Sequence, residues 1–206
     1  MQKILVLDTE TTGIRNHPIH KRPEVIELSY MDISGELDEF RVLAEMPKEV
    51  VVETTINTSN KCTITERFKP SMAIEDDAFR IHKINMKMLQ GCRSSEEAKI
   101  PEDIDYILGH NIQYDHRCLG KPDVRLLCTQ KFAKIVSKNG LTTFEDHKLS
   151  TILSHFYKDH EATILNPVHT SAGDVVKTIL VFVALLKYFP GLKSWDELYN
   201  FQNMGK

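Results

Sequence analysis

The chain has little of several things that would settle its class at once. Its 206 residues include only four cysteines, Cys62, Cys92, Cys118 and Cys128, and no two of them form a CxxC pair. No histidine stands at zinc-finger spacing from any of them, which argues against a zinc ribbon or a disulfide framework. Reduced thiols in a cytosol-like compartment are the expectation. Positive charge is not in surplus: 26 Lys and Arg against 29 Asp and Glu leave a formal net charge of −3. That excludes the broad basic coat of a tight, non-specific duplex binder and leaves a local basic rim open. Long apolar runs are missing too. The longest, "VVKTILVFVALLKYF" at 175–189, is interrupted by Lys177 and Lys187. It falls short of a membrane span and reads as a buried helix. The N-terminus offers only "ILVL" before an acid, too short for a signal-peptide core. A cytoplasmic or nucleoid-associated protein with no membrane partner is expected. No internal repeat, low-complexity tract or linker appears, and the length suits a single domain over 1–206.

What is present begins with β-forming segments. Residues 3–8 and "EVIELSYMDI" (24–33) read as strands, and "SGE" follows as a turn. "FRVLAEM" (40–46), "VVVETTI" (50–56) and "TITERF" (63–68) carry the β-branched and aromatic residues of further strands. "MAIEDDAFRIHKI" (72–84) suits a short helix or loop. "IDYILGHN" (104–111) and "VRLLCT" (124–129) are strands. The second half turns helical, with "TQKFAKIVSKNG" (129–140), "LSTILSHFYKDH" (149–160), a long helix over 171–191 ended by Pro190-Gly191, and a short Ser-capped helix at 194–202. The mixture predicts an α/β or α+β protein with one central sheet.

One oddity stands out at the start. "KILVLDTETTGI" runs from an aliphatic strand into Asp8 and Glu10. Residues i and i+2 of a strand point to the same face, so the two carboxylates project side by side if the strand continues. Like charges this close repel and are costly to desolvate. Either a cation or a shared proton offsets the repulsion, or the strand ends at Leu7 and water solvates both acids. The oddity recurs. "YILGHNIQYDH" leads from a strand through a turn to Asp115, and "PVHTSAGDVV" sets His169 before a helix with Asp174 in its first turn. Singly, each has an ordinary explanation, such as an acid favoured by a helix dipole.

Together these segments resemble the DEDDh 3′→5′ exonucleases, the DnaQ-like branch of the RNase H-like fold. "LDTETTG" is similar to the family's first motif, "GHNIQYD" to its second and "HTSAGD" to its third. "VIEL", "AFRIHKIN" and "LCTQKFAK" follow in the family's order, and the likeness covers roughly 3–189. "RIHKI", "CTQKFAK" and a trailing "SWDEL" place it nearest to compact exodeoxyribonuclease X-like members. The resemblance implies a central mixed five-stranded sheet flanked by helices. It also implies that Asp8, Glu10, Asp115 and Asp174 are carboxylate ligands of two divalent cations, Mg²⁺ or Mn²⁺, for which hard oxygen donors are suited. His169 becomes the general base that takes a proton from the attacking water. Thr11, Thr12, His82 and Asn111 fall where the family meets the terminal nucleotide, although turn-forming or capping roles account for them equally well.

The implied partner is a nucleic acid with a free 3′ end, single-stranded DNA favoured, and the implied setting includes DNA repair. An exoribonuclease, an exonuclease subunit of a polymerase or repair assembly, and a non-catalytic binding subunit are the alternatives. The presence of all five catalytic positions speaks against the last. Two departures from the family pattern are expected to matter. Around 36–62 the chain carries additional residues, read as an extra β-hairpin, and the stretch between Asp115 and "LLCT" is short, so the helix there should be truncated.

Overall fold

The computed structural model describes residues 2–14, 22–164 and 170–204. Its centre is a sheet of six strands, β1 (Ile4–Thr11), β2 (Val25–Asp32), β3 (Ile64–Lys69), β4 (Arg93–Ser94), β5 (Tyr106–Gly109) and β6 (Arg125–Cys128), in the order β4-β3-β2-β1-β5-β6. β1 pairs antiparallel with β2, and β2 with β3; β5 and β6 extend the sheet in parallel on the other side of β1. The sheet therefore has six strands and not the five expected. The sixth is the two-residue edge β4, parallel to β3, too short to register as a strand in the sequence.

Strand alternation sorts β1 between two cores. Ile4 and Val6 join the cluster containing the buried helix α8 (Ser171–Leu186), while Leu5 and Leu7 pack with Cys118 and Leu119 on the opposite face. β1 does not end at Leu7. It runs to Thr11, so Asp8 and Glu10 keep the parity of Ile4 and Val6 and share the α8 side of the sheet. α8 is almost wholly buried along its length, as an element apolar all round must be. α5 (Thr129–Lys138) and α6 (Leu149–Tyr157) pack on it, the short α7 (Glu161–Ile164) adds Ile164 to the same core, and α9 (Trp195–Asn203) stacks Trp195 on Phe182 at 5.6 Å. Ser194 caps α9 by accepting from the Glu197 amide. From α9, Gln202 accepts from the Cys128 N–H (2.6 Å) and donates to the Leu126 carbonyl (2.9 Å). The amide side chain thereby satisfies the backbone of β6, an edge strand otherwise open to further pairing.

The expected β-hairpin at 36–62 is instead a pair of helices, α1 (Leu37–Ala44) and α2 (Lys48–Cys62). Burial falls on Leu37 and Ala44 in the first and on Val51, Val52, Thr55 and Ser59 in the second. These spacings follow a helical stripe rather than strand alternation. Both helices pack on α8, and Phe40 meets Phe182 and Trp195 edge-on at 5.8 and 5.6 Å. The tertiary surface of α8 overrides the β-propensity of "VVVETTI". The two remaining helices, α3 (Asp76–His82) and α4 (Gln113–Cys118), flank the site. At six residues, α4 has the truncation expected of it.

Candidate active site

The site is a polar lattice on the α8 face of the sheet. In the strand register Asp8 lies beside Ser29 and Glu10 beside Glu27; one strand further, Ser29 meets Thr65 and Glu27 meets Arg67. Glu27 is 2% exposed. Its Oε2 accepts from Arg67 Nε at 2.8 Å and its Oε1 from the Ser171 hydroxyl at 2.8 Å. Ser171 Oγ also lies 2.7 Å from Ser29 Oγ. Ser171 is the first residue of α8, and Thr170 caps that helix by accepting from the Gly173 amide at 3.1 Å. The lattice thus docks the start of α8 onto the strands, and with it Asp174 in the first turn.

Asp115 arrives on α4. Gly109 ends β5, and Asn111 turns the chain with a φ of 60°, a conformation Asn tolerates better than most residues. Asp115 is 4% exposed; its Oδ1 accepts from the Thr9 amide (3.1 Å) and the Thr9 hydroxyl (2.7 Å). The four carboxylates feel one another strongly. Burial first, then the charges of Asp115, Asp174 and Glu10, hold Asp8 well above the usual carboxylate range. Burial, Asp174, Glu27 and Asp115 push Glu10 up to about 8. Burial raises Asp115 to about 7 against its hydrogen bonds from Thr9, and Asp174 adds to the rise. Lys177 acts in the other direction on both Asp8 and Glu10.

These shifts have a consequence for stability. A carboxyl whose folded pKa is raised binds more protons folded than unfolded, so stability falls as pH rises toward the folded value. His110, held down to about 4 by burial, and His82, also lowered by burial, have the opposite slope below their ordinary value of 6.5. Between pH 6.5 and 8 the opposing histidine contribution fades and the three raised acids outweigh it. The metal-free protein is expected to lose stability across that window, measured as the denaturant midpoint in chelator. A midpoint that rises from pH 6.5 to 8 would show that the carboxylates are not in mutual repulsion.

The terminal-nucleotide candidates are placed as follows. Thr11, the last residue of β1, and Thr12, just after it, are buried. Thr11 Oγ1 donates to the Gly13 carbonyl at 2.8 Å, and Thr12 Oγ1 accepts from the Glu24 amide at 3.1 Å. Their hydroxyls therefore serve the turn. The Tyr114 hydroxyl donates to the same Gly13 carbonyl at 2.6 Å and ties α4 to this turn. A Cβ on Gly13 would meet only the carboxyl end of the Glu75 side chain, 2.2 Å from its carboxyl carbon. His82, on α3, is 5% exposed and accepts from the Ile84 amide at Nδ1 (3.0 Å). That fixes the proton on Nε2, which lies near the Thr11 backbone without reaching hydrogen-bond geometry and has no partner. Asn111 is exposed, and its carbonyl accepts from the Tyr114 amide at 2.9 Å; its place is in the turn. His169 lies outside the described residues.

Sequence reasoning passed over Glu27, Lys177, Tyr114 and Ser171. For the first two a signal existed, since each is a charge set inside an otherwise apolar run, "VIEL" and "VVKTILVFV".

Hard-cation chemistry fits the donor set, because the acids supply only oxygen and Glu10, Asp115 and Asp174 each raise the pKa of a neighbouring acid. As the side chains stand, no three His, Cys, Asp or Glu among the described residues converge closely enough to hold an ion. Asp174 is turned to Lys177 Nζ, at 2.6 Å.

Sheet order and the α8 packing give the chain a fold shared with solved exonuclease structures. Among solved structures, an exonuclease X in complex with 5′ overhanging duplex DNA is 14% identical with a TM-score of 0.59, covering 97% of this chain and 99% of that one. A moderately thermophilic exonuclease I from Methylocaldum szegediense is 13% identical with a TM-score of 0.60, and the zinc ion bound form of an E. coli exonuclease I–single-stranded DNA complex is 15% identical with a TM-score of 0.55. This chain spans 42% of the length of each of those two exonuclease I chains. No family model and no curated protein sequence matches the chain. No helix among the described residues is long and apolar enough to cross a membrane.

Proposed function

We propose that this chain is a metal-dependent 3′→5′ exonuclease, a hydrolase that releases 5′-mononucleotides from the end of a nucleic acid strand. The reading takes residues 1–206 as one catalytic domain of a cytoplasmic or nucleoid-associated protein. The observation that carries it is that Asp8, Glu10, Asp115 and Asp174 lie within electrostatic reach of one another. They come from a strand and two helices, and burial and mutual repulsion lift three of their pKa values. Acids would not be buried within electrostatic reach of one another without a positive partner. The likeness to exonuclease folds supports the same reading.

Asp8, Glu10, Asp115 and Asp174 would hold two divalent cations, Mg²⁺ or Mn²⁺, which when bound neutralise the phosphate and lower the pKa of water. The chain's own groups do the rest. His169 removes a proton from the attacking water, as a neutral imidazole near its ordinary pKa can at physiological pH. The backbone of Thr11 and Thr12 lines the place of the terminal sugar. His82, whose buried Nε2–H lies beside the Thr11 backbone, supports that segment from α3. Asn111 holds the turn that presents Asp115. On α3 and the segment after it Phe79, Met86 and Met88 are exposed, with Lys83 and Lys87 interleaved along the chain. Apolar side chains that meet base faces, with ammonium groups for phosphates, suit a single strand. Single-stranded DNA with a free 3′ end is the favoured substrate, and repair a fitting setting.

The test uses end-labelled single-stranded DNA, duplex DNA and RNA, each with Mg²⁺ or Mn²⁺ and each with chelator. Nucleotide release is expected only with metal and fastest on single-stranded DNA. A blocked 3′ end should protect the strand; a blocked 5′ end should not. Cleavage of circular single strands would reject the exonuclease reading, and RNA ranking first would move the substrate to RNA.

A further inference from the structure

A local basic surface, which the net charge leaves open, is found on α5. From Thr129 to Phe144 the chain carries three lysines and no acid. Lys131, Lys134 and Lys138 stand at i, i+3 and i+7 and share one face of the helix, while Phe132, Ala133 and Val136 are buried on the other. The three lysines line a groove of about 460 Å³ between α5 and α9, to which Phe201 and Met204 contribute from the end of α9. No acid is among the described residues that line it. Met204 is 78% exposed, and Phe201 is half-buried with its ring 5.3 Å from that of Phe189. A hydrogen-bonded chain joins the groove to the catalytic end of the sheet. Lys134 Nζ donates to Gln130 Oε1 (2.9 Å), Gln130 Nε2 to the His147 carbonyl (3.3 Å), and His110 Nε2 to the same carbonyl (2.9 Å). His110 directly follows β5, and it feels the charges of both Lys134 and Asp174.

We propose that the groove between α5 and α9 is a second contact for single-stranded nucleic acid, which holds nucleotides upstream of the 3′ end that enters the acid cluster. The inference rests on the exonuclease reading and adds to it a path for the strand. The chain as a whole is negative, and the acids repel phosphate, so affinity for a strand has to come from a local positive surface. At 1.5 Å per residue, Lys131 and Lys138 stand about 10 Å apart along the helix axis. Ammonium groups spread over that length can meet more than one phosphate of the same strand. Met204 and the open part of Phe201 supply apolar surface for base faces, which every base has. A duplex keeps those faces stacked and would leave both side chains without a partner, so the groove suits a single strand. Its lysines touch no reacting atom. They act on affinity, and only for strands long enough to reach them.

The experiment measures binding of the full-length chain, in chelator and over a range of salt, to 5′-fluorescein oligothymidylates of about four and about twenty nucleotides. Fluorescence anisotropy is the readout. The wild-type protein should bind the longer strand more tightly and with the steeper salt dependence. Lys134→Gln/Lys138→Gln should weaken binding of the longer strand by at least about tenfold. It should also flatten the slope of log K against log salt by about 1.4, two phosphates at about 0.7 each. Affinity for the short strand and the melting temperature should stay as in the wild type. Lys134→Arg/Lys138→Arg, which keeps the charge, should restore both affinity and slope. A double glutamine variant with wild-type affinity and slope on the longer strand overturns the groove contact, and does so even where metal-dependent nucleotide release from the 3′ end is observed, so this inference can fail while the exonuclease reading stands. A duplex of the same length that binds more tightly than the single strand, with the same loss in the variant, overturns the single-strand assignment. A wild-type protein that binds neither strand overturns the inference outright.

Discussion

Glu10→Gln is expected to separate stability from activity. Nuclease activity should fall at least about 100-fold, the scale of losing one group that stabilises developing charge. In chelator the same variant should be more stable than the wild type, by about 1–3 kcal/mol. The second half follows from electrostatics. Burial and the neighbouring acids raise Glu10 to about 8, and each pKa unit corresponds to about 1.4 kcal/mol of unfavourable interaction in the charged form. Glu10 is partly accessible, which reduces the gain below what the shift alone implies. Gln keeps the shape and carries no charge, so Asp8, Asp174 and Glu27 each lose a like-charged neighbour. Addition of Mn²⁺ should reverse the order, because a cation stabilises the native state in proportion to its affinity and the variant binds it more weakly. The readouts are denaturant midpoints with and without metal, together with the rate of nucleotide release. A variant destabilised in chelator would mean that Glu10 is held by favourable contacts and that the cluster is not in repulsion.

Much of this arrangement could be read from the chain before folding, because its chemistry is local. Asp8 and Glu10 are two residues apart on one strand, and the period of that strand alone brings them together. "GHNIQYD" carries its own turn, with Asn111 at a φ of 60° and Asp115 in the first turn of the helix that follows. What stayed hidden depends on cross-strand register or on tertiary surface. Glu27 faces Glu10 only because β1 and β2 pair in one particular alignment, and no spacing along the chain encodes it. Ser171 touches Glu27 across 144 residues. The 36–62 segment misled for a related reason. Its Val and Thr content favours strands in isolation, yet Pro47 stands immediately before Lys48 at the start of α2, and Asp38, Glu39 and Glu49 occupy first turns. Those are helix-start signals. The apolar face of α8 then decides the outcome, since it offers helices a surface to cover and a hairpin no neighbouring strand to pair with.

The same separation between local and tertiary information bears on the general base. His169 stands five residues before Asp174, and its assignment rests on the motif it belongs to. The described histidines near the cluster lack a lone pair for the task. His110 has both ring nitrogens engaged, Nδ1 with the Thr129 hydroxyl and Nε2 with the His147 carbonyl, each at 2.9 Å. A carbonyl can only accept, so the His110 proton sits on Nε2 and the Nδ1 lone pair is taken. His82 accepts at Nδ1 and carries its proton on Nε2. Thr170, one residue nearer to Asp174, spends its hydroxyl on the α8 cap. His169→Ala is therefore expected to lower kcat by about 10²–10⁴-fold, the range for a lost general base. Mn²⁺ affinity should stay as in the wild type, because His169 is not one of the proposed ligands, whereas Asp174→Ala should weaken both metal binding and rate. The acidic limb of the pH–rate profile should flatten in His169→Ala, since protonation of the imidazole would no longer switch off the reaction. Near-wild-type turnover in His169→Ala would place the base elsewhere. A loss of Mn²⁺ binding would make His169 a ligand, and the division of roles between His169 and Asp174 would have to be reversed.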